Sequence, residues 1–259
     1  MNILENIVEK TKKRIKKLNE EEIKSAAIKL PKGDFEFEKA IKSSKIAFIC
    51  EVKKASPSKG IIAKNFPYIN IAKEYEEAGA NAISVLTEPD FFLGSTFYLE
   101  EIAKSVKIPV LRKDFIITEA QIYESKVIGA SAILLICSIL DEDTLKKYIE
   151  IADSLGLSCL VEAHDEIEIK KAINAKARII GVNNRNLKTF DIDINNSINL
   201  RKYIPDNILF VSESGITGSE QVKELEKNKV NAVLIGETLM KSDNKKQELK
   251  KLKGIYDEN

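Results

Sequence analysis

The sequence predicts an α/β protein, a (β/α)8 TIM barrel with an N-terminal helical extension. Three observations predict it. Eight short apolar runs punctuate the chain, amphipathic stretches separate them, and polar residues collect where the apolar runs end. The runs are Ile46–Val52, Asn81–Leu86, Ile108–Arg112, Ser131–Ile136, Leu157–Glu162, Ala177–Val182, Ile208–Glu213 and Asn231–Gly236. Most are continuous rather than alternating, as expected of parallel strands covered on both faces. Their spacing leaves room for a helix and two loops in each interval.

The intervals read as helices. Tyr68–Ala80 places Ile71, Tyr75 and Ala78 on one face and stops at Gly79. Thr118–Ala130 opens on Thr118 as a candidate cap, turns Ile122, Val127 and Ile128 inward, and ends at Gly129. The stretch from Asp141 to Gly156 begins with acidic residues that suit the positive end of a helix dipole. The helix-to-strand joint reads Gly-Ala-x-Ala-Ile twice, at Gly79–Ile83 and Gly129–Ile133. Eight such units suggest closure. An open doubly wound sheet is the alternative, but no GxGxxG follows the first strand. One domain over residues 1–259 is therefore expected, with residues 1–45 a helical extension outside the barrel.

Composition narrows the function. The chain has 259 residues, 44% of them hydrophobic and 31% charged, which suits a globular fold. Lys plus Arg is 41 and Asp plus Glu is 40, a net charge of +1 that favours neither nucleic acid nor an anionic membrane. No apolar stretch approaches the roughly 20 residues of a membrane span, and the charged N-terminus lacks the apolar core of a signal peptide. A cytoplasmic location is expected. Cys50, Cys137 and Cys159 lie far apart in apolar runs and read as buried thiols.

The C-terminal ends of parallel barrel strands open on one face, where active sites lie. There the sequence places Glu51 and Lys53, Lys113 and Asp114, Glu162 and His164, Asn183, Asn184 and Arg185, Glu213 and Ser214, and Gly236 and Glu237. A strand leaving a core must become polar somewhere, but lone buried charges at several strand ends would be costly unless paired or used. Val211–Gly218 and Ile235–Met240 each run from a strand through glycine into a helix start, after strands seven and eight, where this fold holds phosphate. Ser56–Gly60 is a third candidate contributor. The single histidine, His164, is expected to point to the other side of its strand from Glu162 and to be structural.

Seven segments resemble the indole-3-glycerol phosphate synthase family: FICEVKKASPSKG, ISVLTEPDFFLGS, PVLRKDFIITEAQIYESKVIGASAILLI, LVEAHDE, IIGVNNRNLKTFDID, LFVSESGIT and AVLIGETLM. The resemblance covers nearly the whole chain. It departs mildly at TFYLEEI, in the second helix. It implies cyclisation of 1-(2-carboxyphenylamino)-1-deoxyribulose 5-phosphate to indole-3-glycerol phosphate, a step of tryptophan biosynthesis, with loss of CO2 and water and no metal or organic cofactor. The phosphoribosylanthranilate-isomerising barrel fused to some members is not expected, as the sequence stops at residue 259.

Carried onto this sequence, the resemblance makes Lys113 the general acid and Glu162 its partner in proton transfer. Lys53 holds the substrate carboxylate, and Glu51 orients both lysines. Asn183, Arg185, Glu213 and Ser214 position substrate. Ser56, Gly215, Gly236 and Glu237 serve the phosphate, the last two through backbone N–H, and Phe115 of the RKDF element joins the substrate-binding set. The implied partner is a phosphorylated small molecule, with other tryptophan-pathway enzymes as candidate associates. Two rivals share the glycine motifs: another sugar-phosphate isomerase or aldolase barrel, and a non-catalytic barrel that binds a phosphorylated ligand.

Overall fold

The computed structural model describes residues 3–42, 45–186 and 191–255. Eight parallel strands close into a barrel: β1 (Ala47–Val52), β2 (Ala82–Leu86), β3 (Val110–Lys113), β4 (Ala132–Ile136), β5 (Ser158–Ala163), β6 (Ile179–Asn183), β7 (Leu209–Glu213) and β8 (Ala232–Ile235). Each pairs with its neighbours in sequence, and β1 closes the ring against β8 through Ala47↔Ala232 to Cys50↔Ile235. The eight apolar runs are these strands, displaced by no more than a residue or two at their ends.

Alternation along the strands splits the apolar residues into two cores. Ile49, Ala82, Leu111, Leu134, Leu160, Ile179, Val211 and Leu234 fill the barrel interior. Cys50, Ile83, Ile133, Val161, Ile180 and Val233 face the surrounding helices. Those helices are α4 (Tyr68–Glu77), α5 (Thr96–Ser105), α6 (Glu119–Val127), α7 (Glu142–Leu155), α8 (Glu166–Asn174), α9 (Asn195–Leu200), α10 (Ser219–Lys227), α11 (Glu237–Lys241) and α12 (Lys245–Leu252). All three cysteines are buried and unbridged.

Before β1 come α1 (Ile3–Ile15), α2 (Glu20–Lys29) and α3 (Glu36–Ile41). They are not a detached appendage. Phe37 and Ile41 of α3 join the interior core at the N-terminal end of the barrel. Helix α1 lies at the opposite end: Ile7 is buried, and Arg14 pairs with Asp114 at 3.0 Å, directly after β3.

Two local expectations about α6 need correction. Val127 is 43% exposed. It lies five residues beyond Ile122, a rotation of about 140° that carries it off the buried face. Thr118 occupies the cap position without a side-chain cap bond; instead Gln121 Oε1 accepts the Ile117 N–H at 2.9 Å. Helix α7 behaves as read: Asp141 caps it, accepting from the Thr144 N–H at 2.8 Å.

Gly156 ends α7 at φ +71° and packs backbone to backbone against Gly33, where a Cβ would meet the Gly33 carbonyl oxygen at 2.0 Å. Gly156→Ala therefore meets both a left-handed backbone penalty and a clash with atoms that cannot rotate away. We expect a loss of about 2 kcal/mol or more in urea unfolding. A loss under about half a kcal/mol would contradict this packing.

Candidate active site

At the C-terminal end of the barrel the strands open into a cavity of about 630 Å³. Every residue given a catalytic or binding role by the resemblance lines it: Glu51, Lys53, Ser56, Lys113, Phe115, Glu162, Asn183, Arg185, Glu213, Ser214, Gly215, Gly236 and Glu237. Of the other polar strand-end residues, Asp114 lines it too, while His164 and Asn184 do not, Asn184 being buried against Ser197 and Ser212. The reason is positional. Each strand delivers its last inward side chain at the same height, so distant residues meet on one rim.

The charged side chains interlock. Lys113 Nζ is 3.2 Å from Glu213 Oε2 and 3.8 Å from Glu162 Oε2. Lys53 Nζ donates to Glu51 Oε1 at 2.5 Å. Asn183 Nδ2 donates to Glu162 Oε2 at 3.4 Å. Burial works against the Lys113 charge, but Glu213, Glu162 and Glu51 around it outweigh that and hold it above the usual lysine range. Burial likewise opposes ionisation of Glu51, and Lys53, Lys113 and Arg185 overcome it, so its carboxyl lies below the usual range. Glu213 is the exception. Burial pushes it up to about 7; Lys113 opposes the rise, while the like charges of Glu162 and Glu51 add to it. A cationic proton donor thus stands beside one carboxylate held charged and another that titrates near neutrality.

Missing side chains make this fit possible. A Cβ at Gly181, on β6, would lie 2.2 Å from Glu213 Oε1. One at Gly236 would lie 2.3 Å from Glu51 Oε1 and 3.0 Å from Lys53 Nζ. Gly236 was singled out for its N–H; its second contribution is room for the Glu51–Lys53 pair.

Along the other side run Ser214, Gly215 and Gly236, with Ser214 at φ +70° and Gly215 at φ +85°. The Ser56–Gly60 segment is ordered by pairing of Ala55–Ser56 with Gly60–Ile61. Arg185 contacts Glu237 at 3.4 Å, and Lys59 and Lys241 approach the same carboxylate at 3.9 and 2.6 Å. These cations draw the Glu237 carboxyl below its usual range despite the burial that opposes them. Three cations and several backbone N–H groups therefore border this side.

Residues 4–252 match the profile of the family described as indole-3-glycerol phosphate synthase. Proteins of that name from Ruminiclostridium cellulolyticum and Endomicrobium trichonymphae are 60% and 56% identical to this chain, each match covering 97% of it and 99% of the relative. The chain belongs to the indole-3-glycerol phosphate synthase family. Among solved structures, 3-hexulose-6-phosphate synthase from Salmonella typhimurium aligns over 81% of this chain and 98% of its own, with a TM-score of 0.65 and 15% identity. A mutant tryptophan synthase alpha-subunit from Pyrococcus furiosus aligns over 80% and 98%, with a TM-score of 0.61 and 17% identity. Those two likenesses show the barrel alone.

Several features of this indole-3-glycerol phosphate synthase family member escape a reading by strand ends. Ile3, Leu4 and Ile7 of α1 and Phe92 of the loop after β2 form part of the cavity wall. That the N-terminal residues are helical was legible, but not which surface they cover. Glu88 shapes the Phe92 loop by accepting the backbone N–H groups of Asp90, Phe91 and Phe92 at 3.0, 2.8 and 3.1 Å. The expected direction of His164 was wrong. Alternation has period two, so a residue two beyond Glu162 returns to its side. His164 Nε2 is 3.5 Å from Glu162 Oε1. In the IIGVNNRNLKTFDID segment, residues 187–190 lie outside the described residues. Among the described residues no group of three or more His, Cys, Asp and Glu is arranged to hold a metal, and no helix is long and apolar enough to cross a membrane.

Proposed function

We propose that this chain cyclises 1-(2-carboxyphenylamino)-1-deoxyribulose 5-phosphate to indole-3-glycerol phosphate, the product its family is named for. One observation carries the reading: Lys53, Lys113 and Glu162, from three strands, share a single cavity with a rim of cations and backbone donors. The substrate has a carboxylate at one end and a phosphate at the other. Lys53 meets the carboxylate. Ser56, Arg185, Gly215 and the N–H groups of Gly236 and Glu237 meet the phosphate. Phe115, Phe92 and the apolar face of α1 enclose the aromatic ring.

Lys113 gives its proton to the ketone oxygen as the ring carbon bonds to the carbonyl carbon. The carboxylate leaves as CO2, returning its bonding electrons to the ring. The new hydroxyl then departs, Glu162 accepts the proton released from carbon in that step, and it passes that proton to the departing hydroxide, which leaves as water and returns Glu162 to its carboxylate. Each turnover takes up a proton, which recharges Lys113. Glu51 and Glu213 hold the two ammonium groups in place, and Asn183 and Ser214 position substrate and the Glu162 carboxylate.

The direct test mixes purified protein with the carboxyphenylamino-deoxyribulose phosphate and follows indole fluorescence. A steady rise is expected, and its absence with well-folded protein overturns the reading. The phosphate placement has a separate check. A substrate analogue lacking phosphate should bind roughly 10²-fold more weakly, about 2.7 kcal/mol, in a titration by calorimetry. Equal affinity would remove Gly215 and Gly236 from that role.

A further inference from the structure

The two oxygens of Glu162 have different partners. Oε2 is the one near Lys113 and Asn183. Oε1 is 3.5 Å from His164 Nε2, and His164 is not part of the cavity wall. The imidazole is anchored from the other side. Its Nδ1 is 3.0 Å from Glu168 Oε2 on α8, and the same oxygen accepts the His164 backbone N–H at 2.8 Å. Asp165 in turn accepts the Glu168 N–H at 2.9 Å as the cap of α8. The ring cannot turn without breaking that clasp. Its Nε2 is buried and, among the described residues, makes no hydrogen bond, so charge alone ties it to Glu162.

We infer that His164 is a positioning residue: clasped by Glu168, it stands behind Glu162 and fixes which carboxylate oxygen turns toward the substrate. The inference rests on the proposed reading that Glu162 exchanges a proton in the reaction.

The groups around the ring agree in sign. Glu162 faces it from β5, Glu168 from α8 and Glu213 from β7. Lys171 and Cys137 flank Glu168, with Lys171 Nζ donating to the carbonyls of Cys137 and Leu140 at 2.9 and 3.1 Å. Asn196 on α9 donates to the His164 carbonyl at 3.5 Å. Burial disfavours the imidazolium, but the Glu168 contact and the charges of Glu162 and Glu213 prevail and push it up to about 9. The ring is therefore a cation at neutral pH. A cation 3.5 Å behind one carboxylate oxygen holds the orientation of that carboxylate.

His164→Asn should lower kcat roughly tenfold to a hundredfold with KM changed less than about threefold, as positioning groups supply part of the 10²–10⁴-fold of positioned proton transfer. Glu168→Gln should act in the same direction with a smaller effect, and it keeps the ring should His164→Asn fold poorly. The chain has a single histidine, so NMR of its imidazole reads the contact directly. It should titrate near 9 and drop by about one unit or more in Glu162→Gln. Wild-type kcat in both His164→Asn and Glu168→Gln would overturn the inference, as would an imidazole titration indifferent to Glu162→Gln. Normal turnover in Glu162→Gln would instead strike the proposed function, so the two failures are distinguishable.

Discussion

Lys113→Ala is expected to lower turnover by about 10²–10⁴-fold while substrate binding weakens far less. The argument starts from the position of the ammonium. Lys113 is the last residue of β3, and its side chain reaches a nearly buried point between Glu213 and Glu162. Three carboxylates keep it charged although burial opposes the charge. It is thus a proton donor in place before substrate arrives. Ring closure turns a ketone oxygen into an alkoxide, and without a donor at hand that charge must be met by water in a cavity the substrate has largely filled. The residues proposed to meet phosphate and carboxylate lie elsewhere on the rim and are untouched by the substitution, so KM should move little. Single-turnover fluorescence at saturating substrate separates the two effects. Near-normal turnover would remove Lys113 as the acid. Lys113→Ala also takes the counter-charge from Glu213, which burial already pushes up to about 7. In the variant that carboxylate should be protonated over a wider pH range, and the remaining activity should fall further below neutrality.

How much of this was legible in the sequence follows from what each signal depends on. The strands were legible because burial on both faces demands unbroken apolar runs, and Ala132–Ile136 is such a run. The rim was legible because barrel topology converts strand ends into neighbours, which is why Glu51 and Glu213 could be assigned to one cavity from positions far apart. Contacts that depend on a helix's docking direction were not. Nothing in the sequence of α1 says that its apolar face closes the mouth, or that Arg14 reaches Asp114. Glycine roles were half legible: Gly236 was marked for its N–H, but the space it leaves for Glu51 is set by a neighbouring strand. Val127 was misassigned because Tyr123, Ser125 and Gln121 occupy the buried face of α6, and a face that mixes polar with apolar residues hides its own direction.

Arg112→Ala is expected to destabilise the protein by about 3–5 kcal/mol, the scale for removing one partner of a buried ion pair. Arg112 precedes Lys113 on β3, so alternation sends it the other way, into the layer between strand and helix, where it is 2% exposed. All three of its nitrogens are engaged. Nε donates to Thr87 Oγ1 at 3.2 Å, Nη1 reaches the Gln121 carbonyl, Ser125 Oγ and Glu124 Oε2 at 3.1, 3.2 and 2.7 Å, and Nη2 donates to Asp114 Oδ2 at 3.1 Å. Truncation leaves a void and strips Asp114 of one of its two cations. Burial opposes ionisation of Asp114, and Arg112 and Arg14 overcome it, holding its carboxyl below the usual range. A depressed carboxylate contributes stability that is present above its unfolded value of 3.8 and lost as pH falls through the folded value. Without Arg112 that contribution shrinks, so the deficit should be large at neutral pH and smaller in acid. Arg112→Lys keeps the charge but not the planar fork, and should recover only part of the loss. Arg178 provides the contrast: it pairs with Asp153 and Glu38 from a side chain 39% exposed, and solvent screening should hold the cost of Arg178→Ala near 1 kcal/mol. Urea midpoints for the three variants test the ordering. An Arg112→Ala cost no greater than that of Arg178→Ala would mean the buried network is not what fixes β3, and with it Lys113, against α6.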